Sequence, residues 1–346
     1  MNSNASTQIV NLLVDEDQHQ VLKSLLSALP DITLNTRQIC DFELLSTGVF
    51  SPLQGFMTQI EYASVLDRMR LPSGEIWPIP VCLDINEMTA QSLEVGQSAV
   101  LRDPEGFPLG VLAIEDVWPV DAEKEAQAVY GTTDKDHFGV DYLYNKTGRY
   151  YVGGTIQAMN LPIHSDFRQI RMTPEEIRAK YKKLGWKRIV GFQTRQPIHR
   201  PQFEMTIQAM RESKANLLLL PIAGIPRPGD FDHYTRMRCY QKVAAHYPPD
   251  TYMLNLLPLS MRMAGPRDAV LHLIIGKNYG CTHFVIGHNH SSPGQGRNGE
   301  AFYDYGQSAE LAREAAQELG ITPVFFEEMV YLPFEDEFKL ATEVNV

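Results

Sequence analysis

Two short stretches of this sequence concentrate residues that can seat and rearrange an anion. The first, Gln193-Thr194-Arg195-Gln196-Pro197-Ile198-His199-Arg200-Pro201-Gln202, packs amides, a hydroxyl, guanidinium groups and an imidazole into ten residues. An arginine fork matches a tetrahedral oxyanion. A helix beginning at the end of such a loop adds free N–H groups and a partial positive charge. The second stretch is Gly287-His288-Asn289-His290-Ser291-Ser292-Pro293-Gly294. Its histidines, at i and i+2, could ligate a metal or donate to an anion. No carboxylate or cysteine cluster completes a metal set, and a plain turn capped by Asn289 and Ser291 stays open as a reading.

Between them, Leu256 to Asp268 has the character of a strand end leading into a helix, with Gly265 and Pro266 at the entry. Arg262 and Arg267 could face a triphosphate there, although Arg267 could equally pair with Asp268 or with solvent. Met261 and Met263 read as core packing. Gly294-Gln295-Gly296-Arg297-Asn298-Gly299 spells a dinucleotide-type G-x-G-x-x-G, but it stands several residues past its strand and reads as a flexible loop. No G-x-x-x-x-G-K-[ST] loop is present.

These stretches need elements to hold them. Thr173-Pro174-Glu175-Glu176 predicts a helix start, with Thr as N-cap, Pro at the first position and Glu three residues after the cap. Strands are predicted at Lys187–Gln193, Asn216–Ile222, Thr251–Leu257, Thr282–Gly287 and Thr322–Phe326. Helices between them are predicted at about Arg200–Ser213, Phe231–His246, Pro266–Tyr279 and Tyr305–Leu319. Apolar strands alternating with amphipathic helices indicate a parallel sheet covered on both faces, with ligands bound beyond the carboxyl ends of its strands. Residues 1 to about 160 read instead as mixed, strand-rich structure with many turns, with β segments at Trp77–Leu83, Ser98–Arg102 and Leu109–Trp118.

The chain of 346 residues has room for two domains or two plus a fragment of a third, and 44% hydrophobic with 21% charged residues is an ordinary globular composition. A net charge of −11 argues against a nucleic-acid partner, so basic groups that bind anions must be gathered locally. Cys40, Cys82, Cys239 and Cys281 lie far apart and read as reduced thiols. The polar N-terminus lacks a signal-peptide pattern. The longest uncharged apolar run, Asn216 to Pro226, is shorter than the ~20 residues that span a bilayer. A soluble cytoplasmic protein without membrane contact is expected.

Taken together, the motifs resemble the ATP sulfurylase (sulfate adenylyltransferase) family, which carries Q-T-R-N-P-x-H-R-x-H and G-R-D-H-A-[GS]-P-G. Asp41 to Leu45, Gly48 to Met57, Arg70-Leu71, Trp77 to Pro80, Tyr130 to Asp134, Leu257 to Leu259, Gly265 to Arg267 and Met329 to Tyr331 are similar too. The likeness runs from about residue 35 onward and is nearest to the sulfurylase part of bifunctional sulfurylase/adenylylsulfate kinase proteins. It implies an α/β chain: a PUA-like β-rich N-terminal domain (1–165), a Rossmann-like parallel α/β nucleotidyltransferase domain (166–325) and the start of a truncated C-terminal domain (326–346). It implies that Gln193, Arg195 and Ser291 hold sulfate, with Thr194, Arg195, Gln196, His199 and Gln202 in the catalytic set. ATP would lie on Gln193, Thr194, Arg195, Gln196, Gly287, His288, Asn289, His290 and Val330, the last lining the adenine pocket. Mg2+ would arrive with ATP, and no tightly bound cofactor is expected. Implied partners are ATP, sulfate, pyrophosphate, adenylylsulfate, further copies of the chain, and an adenylylsulfate kinase domain or partner.

Five motif positions depart from the family. Gln196 replaces Asn, Gln202 replaces the second His, His288 and Asn289 replace Arg and Asp, and Ser291 replaces Ala. The chain also stops at Val346, before the family's I-S-G-T-x-x-R segment. The departures leave three readings: a slowed sulfate adenylyltransferase, a catalytically silent scaffold or regulatory domain for an adenylylsulfate kinase, and nucleotidyl transfer to another acceptor.

Overall fold

The computed structural model of the chain describes residues 9–225, 229–326, 329–340 and 344, with only the backbone given at 329–330, 337 and 339–340. The N-terminal region is built from α1 (Glu16–Leu25), β1 (Asp31–Thr33), α2 (Thr36–Ser46), β2 (Gly55–Phe56), α3 (Gln59–Arg68) and β3 (Leu83–Ile85). It continues with α4 (Glu87–Ser92), β4 (Ser98–Arg102), β5 (Pro108–Pro119), α5 (Ala122–Tyr130), α6 (Phe138–Asn145) and β6 (Tyr150–Ala158). Its sheet runs in the order β1-β4-β5-β6-β2, with β3 also on β6.

The region is mixed, as expected, and α1 to α6, which the sequence reading did not place, punctuate the sheet. The signals were present in the sequence, as Asn35 with Gln38 and Thr58 with Glu61 form capping boxes, but the helices they start are short. Trp77–Leu83 is not a strand until its last residue. Pro78 and Pro80 have no N–H for a ladder, and the indole Nε1 of Trp77 donates to the Ile79 carbonyl at 2.7 Å instead.

The second region carries α7 (Pro174–Leu184), β7 (Ile189–Thr194), α8 (Arg200–Ser213), β8 (Asn216–Pro221), α9 (His233–Ala244), β9 (Tyr252–Leu254), α10 (Pro266–Asn278), β10 (His283–Ile286), α11 (Gln307–Leu319) and β11 (Thr322–Phe325). The predicted elements are all present with ends shifted by a few residues, the shortest being β9. Thr173 caps α7 in a capping box with Glu176, and Gly185, at φ 71°, ends it. The five strands are parallel, in the order β11-β10-β7-β8-β9. A hairpin of β12 (Met329–Leu332) and β13 (Glu337–Leu340) follows.

Strand alternation sorts the core. Leu218 and Leu220 face one side of β8 and Leu217 and Leu219 the other, all fully buried. Each such leucine stabilises the fold by about 1.5–3 kcal/mol. On the first side the core is continuous with the N-terminal region, through Phe42, Val49, Leu273 and Tyr279. Helix α10 lies in that junction and is buried nearly all round. On the other side α8 and α9 cover the sheet through Ala209, Met237 and Tyr240.

The order of strands places the topological switch between β7 and β10, because β8 and β9 extend one way and β10 and β11 the other. Those two strands touch closely. The Phe284 ring of β10 lies 2.5 Å from where a Cβ on Gly191 of β7 would stand, and 2.3 Å from a Cβ on Gly276 of α10. Only glycine fits at either place.

Candidate functional site

Both motif loops leave the carboxyl ends of the switch-point strands and meet in one cleft of about 820 Å³, open mouth included. Gln193, Thr194, Arg195, Gln196 and Gln202 line it from the β7 side, and Gly287, Asn289, His290 and Ser291 from the β10 side. Met261 and Met263 form the wall between. His199 and His288 are not among the lining residues. His199 is the exposed N-cap residue of α8, whose first N–H groups have no side-chain cap. The His288 ring stacks on Tyr305, with centroids 4.9 Å apart and planes at 12°. Val330 lies on β12, and its side chain is outside the described residues.

The β7 loop is anchored from beneath. Arg236, on α9 and 1% exposed, donates from Nη1 to the carbonyls of Arg195 and Ile222, each at 3.1 Å. Tyr240, one helical turn on, donates its hydroxyl to the Gln196 carbonyl at 2.9 Å, and Thr194 Oγ1 donates to the same oxygen at 2.9 Å. Burial pushes the Tyr240 phenol up, so it stays a donor. Within the cleft, Arg195 is ion-paired with Asp230, and Gln196 Nε2 donates to the same carboxylate at 2.7 Å. Where basic groups were expected to gather, Arg195 therefore meets a buried carboxylate.

The β10 loop turns on Ser291, at φ 52°, and is anchored by imidazoles. His272 of α10 is fully buried, and its Nδ1 lies 2.6 Å from His290 Nε2, which requires a single proton between the two nitrogens. Burial pushes His290 down to about 4 and His272 well below its ordinary value, so both rings are neutral near pH 7. Ser308 donates to the His290 carbonyl at 3.2 Å. Two cleft atoms, Gln202 Oε1 and Ser291 Oγ, are buried without a hydrogen-bond partner among the described residues. Buried polar atoms are normally satisfied, so these two keep hydrogen-bonding capacity beside the cleft.

Arg262 and Arg267 do not face the cleft, which closes the triphosphate reading that the sequence left open for them. Arg262 pairs with Asp41 of α2 at 2.6 Å. Arg267 donates to the carbonyls of Val65, Leu66 and Pro78, closing the last turn of α3. A carbonyl-rich helix end binds a guanidinium as well as a phosphate would, and the sequence around an arginine does not say which it meets. Sequence reasoning also missed Asp230, Arg236, Tyr240 and His272. Only the spacing of Arg236 and Tyr240, four apart on one helix face, offered a signal. Among the described residues no group of three or more His, Cys, Asp or Glu is placed to hold a metal ion, and no helix is long and apolar enough to cross a membrane.

A PUA-like domain joined to a parallel α/β domain, with polar loops meeting at its switch point, defines a two-domain protein of the parallel α/β class. A PUA-like domain model matches residues 2–161, and the ATP-sulfurylase model matches residues 168–344. The chain is 43% identical over 333 residues to the sulfate adenylyltransferase of Schizosaccharomyces pombe, covering 96% of itself and 68% of that protein. It is 43% identical over 320 residues to the enzyme of the same name from Mycosarcoma maydis, where it spans 92% of itself and only 56% of the relative. A solved structure described as the hexameric APS kinase from Thiobacillus denitrificans superposes with a TM-score of 0.78 at 29% identity, over 98% of this chain and 59% of that one. The chain belongs to the ATP-sulfurylase family.

Proposed function

We propose that the chain transfers the adenylyl group of ATP to sulfate, giving adenylylsulfate and pyrophosphate. The observation that carries this reading is the convergence of Gln193, Thr194, Arg195, Gln196, His290 and Ser291 on one cleft at the switch point. Sulfate is fully ionised near neutrality, so no general base is needed. A sulfate oxygen attacks the α-phosphorus, a new P–O bond forms, and pyrophosphate leaves with the electron pair of the bond that breaks. What the chain supplies is placement of two polyanions and stabilisation of charge on the reacting phosphate.

In this scheme Gln193, Arg195 and the Ser291 N–H hold sulfate. Thr194 and Gln196 stand beside the α-phosphate, and Gly287, Asn289 and His290 hold the nucleotide. Neutral His290 offers a hydrogen bond and no charge. Arg195 must exchange Asp230 for sulfate, one oxyanion for another. Mg2+ enters on ATP as part of the substrate. The four free cysteines suit a reducing cytoplasm, and assembly with further copies and with an adenylylsulfate kinase fits the oligomeric kinase structure that the chain resembles.

The test is ATP formation from adenylylsulfate and pyrophosphate. Wild-type chain should turn over, and Arg195→Ala should lower the rate by about 10²–10³, the usual loss for one transition-state donor. The absence of wild-type turnover, with nucleotide binding intact by calorimetry, would establish the silent-scaffold reading. That second reading is favoured by one feature: His288, at the family's arginine position, stacks on Tyr305 outside the cleft lining.

A further inference from the structure

The wall between the two loops is held from the other domain. Its residues alternate: the side chains of Met261 and Met263 line the cleft, and the side chain of Arg262, between them, turns away. Arg262 is 1% and Asp41 3% exposed at the side chain, and their contact at 2.6 Å crosses from the catalytic domain to α2 of the PUA-like domain. The same guanidinium folds back onto its own segment through Nη1 to the Ser260 carbonyl at 2.5 Å. The backbone there has little freedom. Met263 is left-handed at φ 62°, and the Arg262 carbonyl passes 2.6 Å from where a Cβ on Gly139 of α6 would stand. On the cleft side, Met261 Sδ lies 4.0 Å from Nε2 of Gln193, the amide assigned to sulfate.

We propose that Asp41 is a positioning residue for the anion subsite: through Arg262 it fixes the Met261 wall on which Gln193 rests, making the N-terminal domain part of the site. The inference rests on the adenylyltransferase reading for which ligand the subsite takes. A buried guanidinium without its carboxylate must find another counter-charge or solvent. The small chamber around the pair holds Asp84 and Glu125 as alternatives, along with Arg37 as a competing cation. Turning Arg262 toward either acid drags the residues on both sides of it, and the cleft wall moves with them.

The experiment compares sulfate and ATP kinetics of the full chain with those of Asp41→Asn, Met261→Ala and the double variant, at a temperature well below each unfolding midpoint. Asp41→Asn should raise the KM for sulfate about tenfold while changing that for ATP by less than about twofold. Met261→Ala should shift the same parameter, and the double variant should be no worse than the worse single one, because both remove one wall. Breaking the exposed interdomain pair with Arg70→Ala (Arg70 meets Glu318 at 2.6 Å) should leave both constants unchanged.

A lowered melting temperature with unaltered constants would make Asp41 merely structural and overturn the proposal. So would equal shifts for both substrates, or multiplicative effects in the double variant. If Asp41→Asn does not fold, Arg262→Lys keeps the charge and loses the fork, and an unchanged sulfate KM there would be equally decisive. A wild-type chain without turnover would overturn the adenylyltransferase reading instead, and the same variants are then compared by calorimetric titration with inorganic sulfate. There a tenfold weakening in Asp41→Asn supports the positioning role, and equal affinities overturn it.

Discussion

The two loops that meet in the cleft are fastened by different chemistry. Behind the β7 loop stand a guanidinium and a phenol, Arg236 and Tyr240, each donating to main-chain carbonyls. Behind the β10 loop stands an imidazole, His272, which shares one proton with His290 of the loop itself. A guanidinium keeps its donors at any pH at which the protein folds, whereas an imidazole pair keeps its hydrogen bond only while at least one ring is neutral. The β7 side of the cleft is thus indifferent to acid, and the β10 side is sensitive to it. One fold has given its two site loops different tolerances by choosing different residues to fasten them.

The difference is broken most severely at His272. Replacing it as His272→Phe preserves a ring and removes both nitrogens, leaving the His290 Nε2 without a partner. A buried polar group so orphaned costs about 1–3 kcal/mol. Initial-rate kinetics should show kcat/KM for ATP falling roughly ten- to a hundredfold, with the KM for sulfate nearly unmoved. Equal losses for both substrates would mean that the subsites are not separately fastened.

Acid unfolding sharpens the same contrast. His290, pushed down to about 4, and His272, held well below its ordinary value, would both titrate near 6.5 in the unfolded chain. Their neutral forms contribute stability that is complete above pH 6.5 and lost as pH falls toward 4. Asp268, raised by burial to about 6, works in the opposite sense: its contribution is complete below about pH 4 and lost as pH rises through 6. Denaturant melts from pH 4 to 7 should show the acid limb flattened in His272→Phe. In Asp268→Asn the same limb should steepen, and parallel profiles would refute the assignment.

Smaller effects are expected on the β7 side. Asp230→Asn removes the carboxylate that competes for Arg195, and calorimetry should show inorganic sulfate binding about three- to tenfold more tightly without nucleotide. Tyr240→Phe deletes one hydrogen bond to Gln196, worth about 1 kcal/mol, and kcat/KM for ATP should fall by up to about fivefold, because Gln196 stands beside the α-phosphate. An unchanged ATP constant in Tyr240→Phe would remove Gln196 from the reacting phosphate.

The order of strands and helices after Thr173 was legible because the apolar runs and the caps agree in period and position. Helix α8 appeared at its predicted Arg200–Ser213 bounds. The N-terminal helices were not legible, since six- to eleven-residue amphipathic segments between turns resemble strands and loops in composition. At the site, the two polar loops announced themselves by density of donors at strand ends. What supports them did not. Asp230, Arg236 and His272 sit on other elements, and only the winding of the chain brings α9 under one loop and α10 under the other. Arg262 and Arg267 failed in the opposite direction, because charge at a helix entry carries no label for the partner it will meet.

The ring of Phe284 touches no solvent, yet the separation of the two loops originates there. Wedged between the bare backbones of Gly191 and Gly276, it works as a shim beneath the cleft floor, and the loops above inherit whatever spacing it imposes. Admitting a bulkier acceptor than a tetrahedral oxyanion would call for recutting that shim, well out of reach of any ligand, before altering a single residue that the ligand meets.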